Sequence, residues 1–519
     1  MKKLNWWLIA IVGVAALLRL PYLNTHMPSL YGDEIAIGYN AFSILKTGRD
    51  EFGRFMPLQF QSWGDQKNPV YIYAVAIMQF FFGVTPAAVR LPSALAGIFA
   101  VYLTYLIVKR LKLGELPAIL SGLLLALAPW HIHLSRGGYE ANLALTLGLA
   151  SIYFLLESRF IMSALFLVFA CYTYYTTKMF LPMLAAVVWI WGWGSRKSYT
   201  LKKAVQYWGI IVLLAIPAIY LAFFANGQAR FAAINIFRDP LTANRVIRGR
   251  NFFANPASLL AKIQENKTVY YSLDFLTYYF DNFSGQFLFV GGDSNVRYGL
   301  ANHGMLYLLD APLILMGLIL LYHKHKKAWI LLVAWLLLAP LPTALVGKAY
   351  GLRSLAMLPI PQIFAAFALS EFYLWSKKVK WRLIPFTIFY LLYALSVGNW
   401  LSRYIYQYPT YGRYWYDSAM LESIQYADAH ANKYDQVIIT QTYGETSMYY
   451  AYYKQIDPRT YRAAKANRVL MDGVPMIHLG KYYFGDLRPK GKLEDMQLPP
   501  HTLIITDPLS PYSEEAISA

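Results

Sequence analysis

The stretch that decides the fold is residues 5–34, NWWLIAIVGVAALLRLPYLNTHMPSLYGDE. Its first part, residues 5–23, is apolar over nearly the whole length of about 20 residues that a transmembrane helix needs. Its second part ends in two adjacent carboxylates, Asp33 and Glu34. An apolar run of this length, followed closely by an acidic pair, indicates a membrane-spanning helix that leads into a polar loop.

The composition extends this interpretation to the whole chain. Of the 519 residues, 57% are hydrophobic and only 14% are charged, whereas soluble domains average about 25% charged residues. Cys171 is the single cysteine, so no disulfide can form within the chain. A soluble enzyme, a disordered scaffold and a secreted disulfide module are therefore excluded. Apolar stretches recur at residues 5–23, 69–84, 87–108, 116–134, 141–157, 160–175, 179–194, 204–225, 305–322, 328–346, 354–375 and 382–401.

The excess of basic residues behind the net charge of +19 lies in the first 402 residues, which contain the apolar stretches. Residues 403–519 contain 12 basic and 13 acidic residues, so the positive excess lies among the apolar stretches. Lysine and arginine beside membrane spans set the orientation of the spans and contact anionic lipid or phosphate. We therefore expect the lipid bilayer, and not nucleic acid, as the partner of this charge.

Short basic loops predict how the chain is oriented. They lie at residues 109–112, 196–203, 323–327 and 377–382. All of them face the cytoplasm only if residues 69–108 cross the membrane an odd number of times. The stretch 69–84 is short and follows Asn68-Pro69, so we expect a partly embedded or interfacial helix there. About 11 crossings result, with a cytoplasmic N-terminus and a C-terminal region outside the plasma (inner) membrane, in the periplasm.

The predicted fold class is an all-α polytopic membrane protein with a small C-terminal α/β domain. Residues 1–402 form the expected transmembrane domain, with exterior loops at 24–68 and 226–304. Residues 403–519 return to balanced charge and contain no spanning run, which indicates a separate exterior α/β domain. Its expected strands are residues 436–440 and 502–506, and its expected helices are about 414–430 and 444–454.

Acidic residues are scarce in the first 402 residues, and a third of those present lie in one exterior loop. They are Asp33, Glu34, Asp50, Glu51 and Asp65. Asp33 and Glu34 open a segment whose apolar residues recur at helical spacing, which predicts an amphipathic helix on the membrane surface. Two interpretations of this pair stay open. Either it caps the helix and complements the helix dipole, or the carboxylates are catalytic.

Further polar and aromatic residues lie on the same predicted exterior face and are candidates to line a substrate cavity. They are Asp65, Lys67, His131, His133, Arg136, Tyr139, Tyr350 and Arg353. Lys67 either reaches the headgroup region from the membrane boundary or binds a lipid-linked phosphate. The i, i+2 spacing of His131 and His133 suits a strand better than a helix, so metal ligation by this pair is not expected.

Several segments in this order resemble the GT-C glycosyltransferases. They are the first span with Asp33-Glu34, residues 65–69 (DQKNP), residues 89–97 (VRLPSALAG) and residues 128–136 (APWHIHLSR). The most similar branch is the dolichyl-phosphate-mannose protein mannosyltransferase-like group, glycosyltransferase family 39-like, which includes the aminoarabinose transferases of lipid A. The resemblance covers about residues 1–400 and depends on the order and spacing of the segments.

The resemblance implies a site and a reaction. Asp33 is the expected catalytic base, with Glu34 beside it. Lys67 matches the lysine of a phosphate-binding Lys-Pro-Pro motif, although Asn68 replaces its first proline, and Arg353 matches a late arginine. The implied enzyme moves a hexose or pentose from a polyprenyl phosphate to a hydroxyl of a protein Ser/Thr, a glycolipid or a glycan, with inversion. No cofactor is required, and a divalent cation (Mg²⁺ or Mn²⁺) held by the acidic pair is left open.

Other classes of protein also stay open. The main alternative is a transporter or flippase for a lipid-linked or anionic substrate. Transporters place ionisable groups near the bilayer midplane and often carry inverted repeats, whereas here the charges cluster at one face and no repeat is evident. A GT-C enzyme that uses a lipid diphosphate and a receptor-like membrane protein are further alternatives.

Overall fold

The computed structural model describes residues 6–62, 65–193, 197–224, 235–377, 383–441, 445–487 and 497–506. It is mostly helical with a small sheet near the C-terminus, as predicted. The predicted basic positions Arg196 and 378–382 lie outside the described residues. The chain forms two compact units. The helical unit is Met1–Pro21 with Ser93–Tyr406, and the composite unit is Tyr22–Pro92 with Gln407–Ala519.

The helices follow the apolar stretches of the sequence. In chain order they are α1 (Trp6–Arg19), α2 (Gly32–Thr47), α3 (Pro69–Phe82), α4 (Pro86–Arg110), α5 (Glu115–Leu127), α6 (Pro129–Arg136), α7 (Glu140–Leu156), α8 (Phe160–Cys171), α9 (Thr177–Gly192), α10 (Leu201–Phe224), α11 (Leu241–Asn251), α12 (Leu259–Gln264), α13 (Lys267–Asp281), α14 (Asp310–Lys324), α15 (Lys326–Leu338), α16 (Leu341–Ala344), α17 (Ile360–Ser376), α18 (Leu383–Ser402), α19 (Tyr408–Tyr411), α20 (Ser418–His430), α21 (Thr446–Tyr453) and α22 (Pro458–Ala466).

Within the described residues, four helical stretches are long and apolar enough to cross a membrane. They are Pro86–Arg110, Leu201–Leu221, Lys326–Ala344 and Ser354–Ser376. The pair α5 and α6, bent by 56° where Pro129 begins α6, makes a fifth if it counts as one broken span. Several shorter apolar helices accompany them, so the chain is a multi-pass membrane protein. The expected number of 11 crossings stays a prediction.

α3 has the length expected of an interfacial helix. Its 14 residues extend over about 21 Å, which is less than the roughly 30 Å of the hydrocarbon core. Pro69 begins the helix at a position where its missing N–H costs nothing, and Gly83, with φ of 74°, ends it. The interfacial placement remains a prediction, and the length of α3 supports it.

The composite unit contains both sheets. Its strands are β1 (Phe60–Ser62), β2 (Asp65–Lys67), β3 (Gln436–Thr440), β4 (Val469–Met471), β5 (Val474–Leu479), β6 (Tyr482–Gly485) and β7 (Thr502–Ile505). β1 and β2 form an antiparallel hairpin. The larger sheet has the order β4-β5-β6-β3-β7, with β3 parallel to both β6 and β7. The predicted strands at 436–440 and 502–506 and the predicted helices at about 414–430 and 444–454 are therefore present, since β3, β7, α20 and α21 occupy those positions.

The unit boundaries differ from the predicted domain boundaries. Residues 24–68, expected as an exterior loop of the transmembrane domain, belong to the same compact unit as the C-terminal region. The reason is close packing of α2 on α21, because a Cβ placed on Gly38 would lie 2.6 Å from a ring carbon of Tyr452. A salt bridge adds to this packing, with Lys465 Nζ 3.0 Å from an oxygen of the buried Glu51.

α2 is present where the sequence predicted a helix, but it is not an amphipathic surface helix. Every residue from Ile35 to Ile44 is buried. The polar side chains of α2 form hydrogen bonds inside the protein. The spacing of the apolar residues does not predict these hydrogen bonds. Asn40 Nδ2 donates to Glu51 Oε1 at 3.0 Å, and the Ser43 hydroxyl donates to the carbonyl of Arg49 at 2.7 Å. That prediction was wrong because these hydrogen bonds let polar side chains lie in the interior.

Candidate functional site

An ion pair lies at the first turn of α2. Lys67 Nζ is 2.5 Å from Asp33 Oδ1. The lysine side chain is only 3% exposed, whereas the Asp33 side chain is 46% exposed. Lys67 is held on β2, where it pairs with Phe60 of β1. The structure therefore brings together the two residues that the sequence selected as base and phosphate ligand, and one of them remains accessible.

The adjacent carboxylate has a different environment. Glu34 is fully buried, and the guanidinium of Arg90 contacts both of its oxygens at 2.9 and 3.0 Å. Glu34 also accepts the backbone N–H of Tyr31 at 3.4 Å. Arg90 is itself fixed, because it donates to the carbonyls of Leu23 and Ser29. Glu34 is thus a buried ion-pair residue that holds the start of α2, as the capping interpretation expects, and the catalytic interpretation stays a prediction.

Arg90 is a site residue that the sequence analysis missed. It lies in the quoted segment VRLPSALAG, directly before the long apolar run of α4. An arginine so close to a membrane span needs a polar or charged partner. This requirement was the feature of the sequence that could have drawn attention to Arg90. The sequence could not identify Glu34 as the partner, since 55 residues lie between them.

The acidic pair does not fit a shared divalent cation. The Glu34 oxygens face the guanidinium of Arg90, and the nearest oxygen of Asp33 faces the ammonium of Lys67. A cation between the carboxylates would therefore meet two positive groups. Among the described residues, no cluster of three or more His, Cys, Asp or Glu side chains could hold a metal ion. Asp65 opens β2 opposite Ser62, and its side chain lies outside the described part.

The two histidines lie on α6, a helix and not a strand. His131 and His133 therefore point in different directions. His131 Nδ1 is 2.9 Å from Arg19 Nη2, and His133 Nε2 is 2.8 Å from the carbonyl oxygen of Arg297. Both imidazoles are buried, so the structure places each in its own packing environment and does not bring them together.

Arg136 caps the end of α1. Its two terminal nitrogens donate to the carbonyls of Leu18 and Pro21 at 3.0 and 2.8 Å. The last carbonyls of a helix have no partner within the helix, and a cation is favourable at that end of the helix dipole. Arg136 therefore has a clear structural function in the helical unit.

A second cationic cluster of the helical unit surrounds Tyr350. The guanidinium of Arg353 lies over the Tyr350 ring, 4.7 Å from its centroid. The Tyr298 ring also packs against the Tyr350 ring, with ring centroids 4.7 Å apart. Beside it, the backbone carbonyl of Arg297 accepts hydrogen bonds from Tyr139 at 2.7 Å and from His133. Arg297, which the sequence analysis did not select, is thereby fixed near Arg353.

The loop that carries Arg353 is held through both backbone polar groups of one residue, Gly351. Trp130 Nε1 donates to the carbonyl of Gly351 at 2.8 Å, and the Gly351 N–H donates to the carboxylate of Asp293. Burial raises the pKa of Asp293 to about 6, although its backbone hydrogen bonds and Arg353 act in the opposite direction. Burial also raises the pKa of Tyr350, while a hydrogen bond with Tyr298 and the two guanidinium groups lower it.

Arg353 also lines a small apolar cavity of the helical unit. Its wall is formed by α7, α9 and the segment that follows Arg353. Arg353 is the one charged residue among the described residues that line it. The others are Ala141, Ala144, Leu145, Gly148, Leu149, Tyr174, Thr176, Thr177, Phe180, Leu181, Trp335, Leu352, Leu355 and Ala356. The cavity's volume of about 20 Å³ is enough for about one water molecule.

No protein-family model matches the chain, and comparison with the curated proteins finds no match. Solved structures do match. ArnT from Cupriavidus metallidurans, bound to undecaprenyl phosphate, is 14% identical, with 89% of this chain and 88% of that chain covered and a TM-score of 0.51. The archaeal oligosaccharyltransferase AglB from Archaeoglobus fulgidus is 12% identical, with 86% and 63% covered and a TM-score of 0.48. The arabinofuranosyltransferase AftD from Mycobacteria is 16% identical, with 86% and 31% covered and a TM-score of 0.35.

The similarity to ArnT extends over nearly the whole of both chains and identifies the fold. The chain has a GT-C-like fold, the fold of a class of polytopic membrane proteins. The fold expected from the resemblance is thereby confirmed.

Proposed function

We propose that the chain is a membrane glycosyltransferase that moves a sugar from a polyprenyl-phosphate donor to an acceptor hydroxyl. The observation that carries the proposal is the pair Asp33 and Lys67, a half-exposed carboxylate held against a buried ammonium. A base and a phosphate ligand are the two groups that this reaction requires. The acceptor is a protein Ser/Thr, a glycolipid or a glycan.

In the proposed reaction, Asp33 removes the proton of the acceptor hydroxyl. The hydroxyl oxygen then forms a bond to the anomeric carbon while the bond from that carbon to the phosphate oxygen breaks. The electron pair of the broken bond stays on the phosphate, and Lys67 stabilises the charge that develops there. A single displacement of this kind inverts the anomeric carbon.

The geometry of Lys67 supports a double function. An ammonium has three N–H donors, and one of them points at Asp33. We propose that the same ammonium also contacts a phosphate oxygen of the donor when the donor binds. An in-line displacement needs the acceptor hydroxyl, with its base, and the leaving phosphate on opposite sides of the anomeric carbon, so Asp33 turns from Lys67 toward the hydroxyl when the donor binds.

The cluster of the helical unit supports a lipid-linked donor. The guanidinium of Arg353 lies over the Tyr350 ring, and the backbone carbonyl of Arg297 is held by the hydroxyl of Tyr139. Arginine binds phosphate through several N–H groups in one plane. The solved ArnT structure, which has the same fold, contains undecaprenyl phosphate. We propose that the reaction occurs on the exterior face of the plasma (inner) membrane, where the basic-loop argument places residues 24–68.

The test is sugar transfer from a synthetic polyprenyl-phosphate sugar by purified protein in detergent, where vectorial transport has no meaning. Asp33→Asn should reduce turnover by roughly 10²–10⁴-fold, because it removes the proton acceptor and nearly preserves its shape. Because Asp33→Asn also removes the counter-charge of the buried Lys67, transfer is compared at a temperature at which both proteins remain folded.

The matched control is Glu371→Gln, which removes another carboxylate paired with a lysine, Lys324, far along the chain. This variant should transfer sugar at the wild-type rate. Near-wild-type transfer by folded Asp33→Asn would refute the assignment of the base. No transfer by the wild type from any polyprenyl-phosphate sugar would favour the transporter alternative.

A further inference from the structure

The first turn of α2 receives a cap from a distant part of the chain. Within α2, the side chain of Glu34 accepts the backbone N–H of Tyr31, the N-cap residue, at 3.4 Å. The N–H of Gly32, the residue before Asp33, donates to a group far along the chain, Asp417 Oδ2, at 3.1 Å. The first N–H groups of a helix have no partner within the helix, and a carboxylate is the favourable group at that end. A C-terminal residue therefore supplies the cap.

The carboxylate of Asp417 is itself held in place. The hydroxyl of Tyr449 donates to the same oxygen, Oδ2, at 2.9 Å, and Tyr449 is only 2% exposed on α21. The backbone of Asp417 has φ 48° and ψ 38°, the left-handed region that aspartate and asparagine tolerate better than most residues. Next to it, Tyr416 packs edge-on against Tyr31, with ring centroids 5.8 Å apart.

A second C-terminal residue fixes the turn that precedes Gly32. The Tyr453 hydroxyl lies 3.1 Å from Ser29 Oγ and accepts the N–H of Leu30 at 3.4 Å. Residues 29–32 are therefore held by hydrogen bonds from α21 and from the residue that precedes α20. The backbone that leads into Asp33 depends on residues more than 380 positions later.

We propose that Asp417 is a positioning residue for the catalytic carboxylate, and this inference rests on the proposed function. By binding the Gly32 N–H, Asp417 fixes the start of α2 so that the Asp33 carboxylate faces Lys67 and the acceptor hydroxyl. Displacing a catalytic group by about 1 Å costs on the order of 10²-fold in rate. The C-terminal region thus takes part in the reaction through the orientation of the base, without contacting the substrate.

The experiment compares Asp417→Ala with Asp417→Asn in the full-length protein. Alanine removes the cap, whereas the amide oxygen of asparagine can still accept from Gly32 and Tyr449, and asparagine tolerates the same backbone conformation. Asp417→Ala should lower kcat about 10- to 100-fold at unchanged donor Kd, and Asp417→Asn should restore most of it. Hydrogen exchange of residues 28–40 should accelerate in the alanine variant alone.

Two more variants complete the set. Tyr449→Phe removes the hydroxyl that holds the carboxylate and should lower kcat about three- to tenfold. The control is Asp428→Ala, which removes a carboxylate of α20 that bonds Tyr482 and Lys454 but not α2. It should leave kcat and the exchange of residues 28–40 unchanged.

The inference fails if folded Asp417→Ala has wild-type kcat and wild-type exchange. If Asp417→Ala does not fold, wild-type kcat in Tyr449→Phe overturns it instead. A fall in kcat that asparagine does not restore also overturns the capping role. Failure of the proposed function is a separate result, because it appears as absent transfer by the wild type, whereas the exchange rates test the cap without any donor.

Discussion

At the scale of single residues, the first turn of α2 separates two neighbouring carboxylates. Successive side chains of a helix point about 100° apart, so Asp33 and Glu34 face different surroundings. Asp33 faces a lysine and remains half-exposed, whereas Glu34 faces an arginine and is enclosed. The sequence could predict that this pair mattered but could not divide the roles, because the partners Lys67 and Arg90 come from distant positions.

A prediction for Lys67 follows from its burial against Asp33. Lys67→Ala should weaken binding of a polyprenyl-phosphate sugar by about one to two decades, because a charge-assisted hydrogen bond contributes roughly 1.5–3 kcal/mol. Acceptor binding should change less. The measurement is donor Kd in detergent by titration calorimetry, with Arg54→Ala as the control because Arg54 pairs with Asp50 away from Asp33. Equal donor affinity in Lys67→Ala and wild type would refute the phosphate role.

For Glu34, the expected effect is on stability first. Glu34→Gln leaves the buried Arg90 without its counter-charge, and breaking a buried ion pair on one side typically costs about 3–5 kcal/mol. The double variant Glu34→Gln with Arg90→Met should recover part of that loss. Unfolding of the three proteins in detergent measures the effect. A variant Glu34→Gln that is as stable as wild type yet inactive would instead make Glu34 a catalytic group.

At the scale of elements, the sequence pattern predicted where helices and strands lie. It did not predict which residues surround each of them. Apolar runs predicted most helices, and β-branched runs bounded by turns predicted β3 and β7. The hydrogen bonds that bury Asn40 and Ser43 within α2 involve Glu51 and Arg49 of the following turn, so helical periodicity does not record them. The same limit applies to α6, where periodicity does not show that Arg19 and the carbonyl of Arg297 are the partners of His131 and His133.

The segment around Asp293 provides a pH-dependent prediction. Its pKa of about 6 lies above the ordinary value of 3.8, so the folded protein binds this proton more tightly than the unfolded protein. The protonated Asp293 therefore adds at most about 3 kcal/mol to the free energy of unfolding. This contribution is fully present below about pH 4 and is lost as the pH rises through about 6. Asp293→Asn should remove this decline. The measurement is melting temperature of both proteins from pH 4 to 8, and parallel curves would contradict the assignment.

At the scale of the whole molecule, the sequence predicted the GT-C-like fold and the C-terminal α/β region, whereas the compact units of the structure do not follow the change in composition. Composition changes near residue 403, and a boundary drawn from composition falls there. The composite unit instead joins residues 22–92 to the C-terminal region through packing such as that of Gly38 on Tyr452. Contacts between distant segments are not visible in local composition.

The orientation of the chain is a prediction that belongs to this scale. In a Cys171→Ser background, single cysteines at the exposed positions Asn255 and Arg459 should react with a membrane-impermeant maleimide from outside the cell. A cysteine at Lys326, in a basic loop, should react only after the membrane is opened. The opposite labelling pattern would reverse the orientation and would place the Asp33 site on the cytoplasmic side.

The composite origin of the unit that carries Asp33 has a consequence for biosynthesis. Residue 407 is translated about 315 residues after residue 92, which at roughly 5–20 residues per second means a delay of about 15–60 s. During that delay the nascent chain holds α2 without Tyr449, Tyr453 or Asp417. The first part of the unit therefore lacks its C-terminal contacts until residue 453 has been translated, and we expect that a chain truncated before residue 417 does not hold residues 29–32 in place.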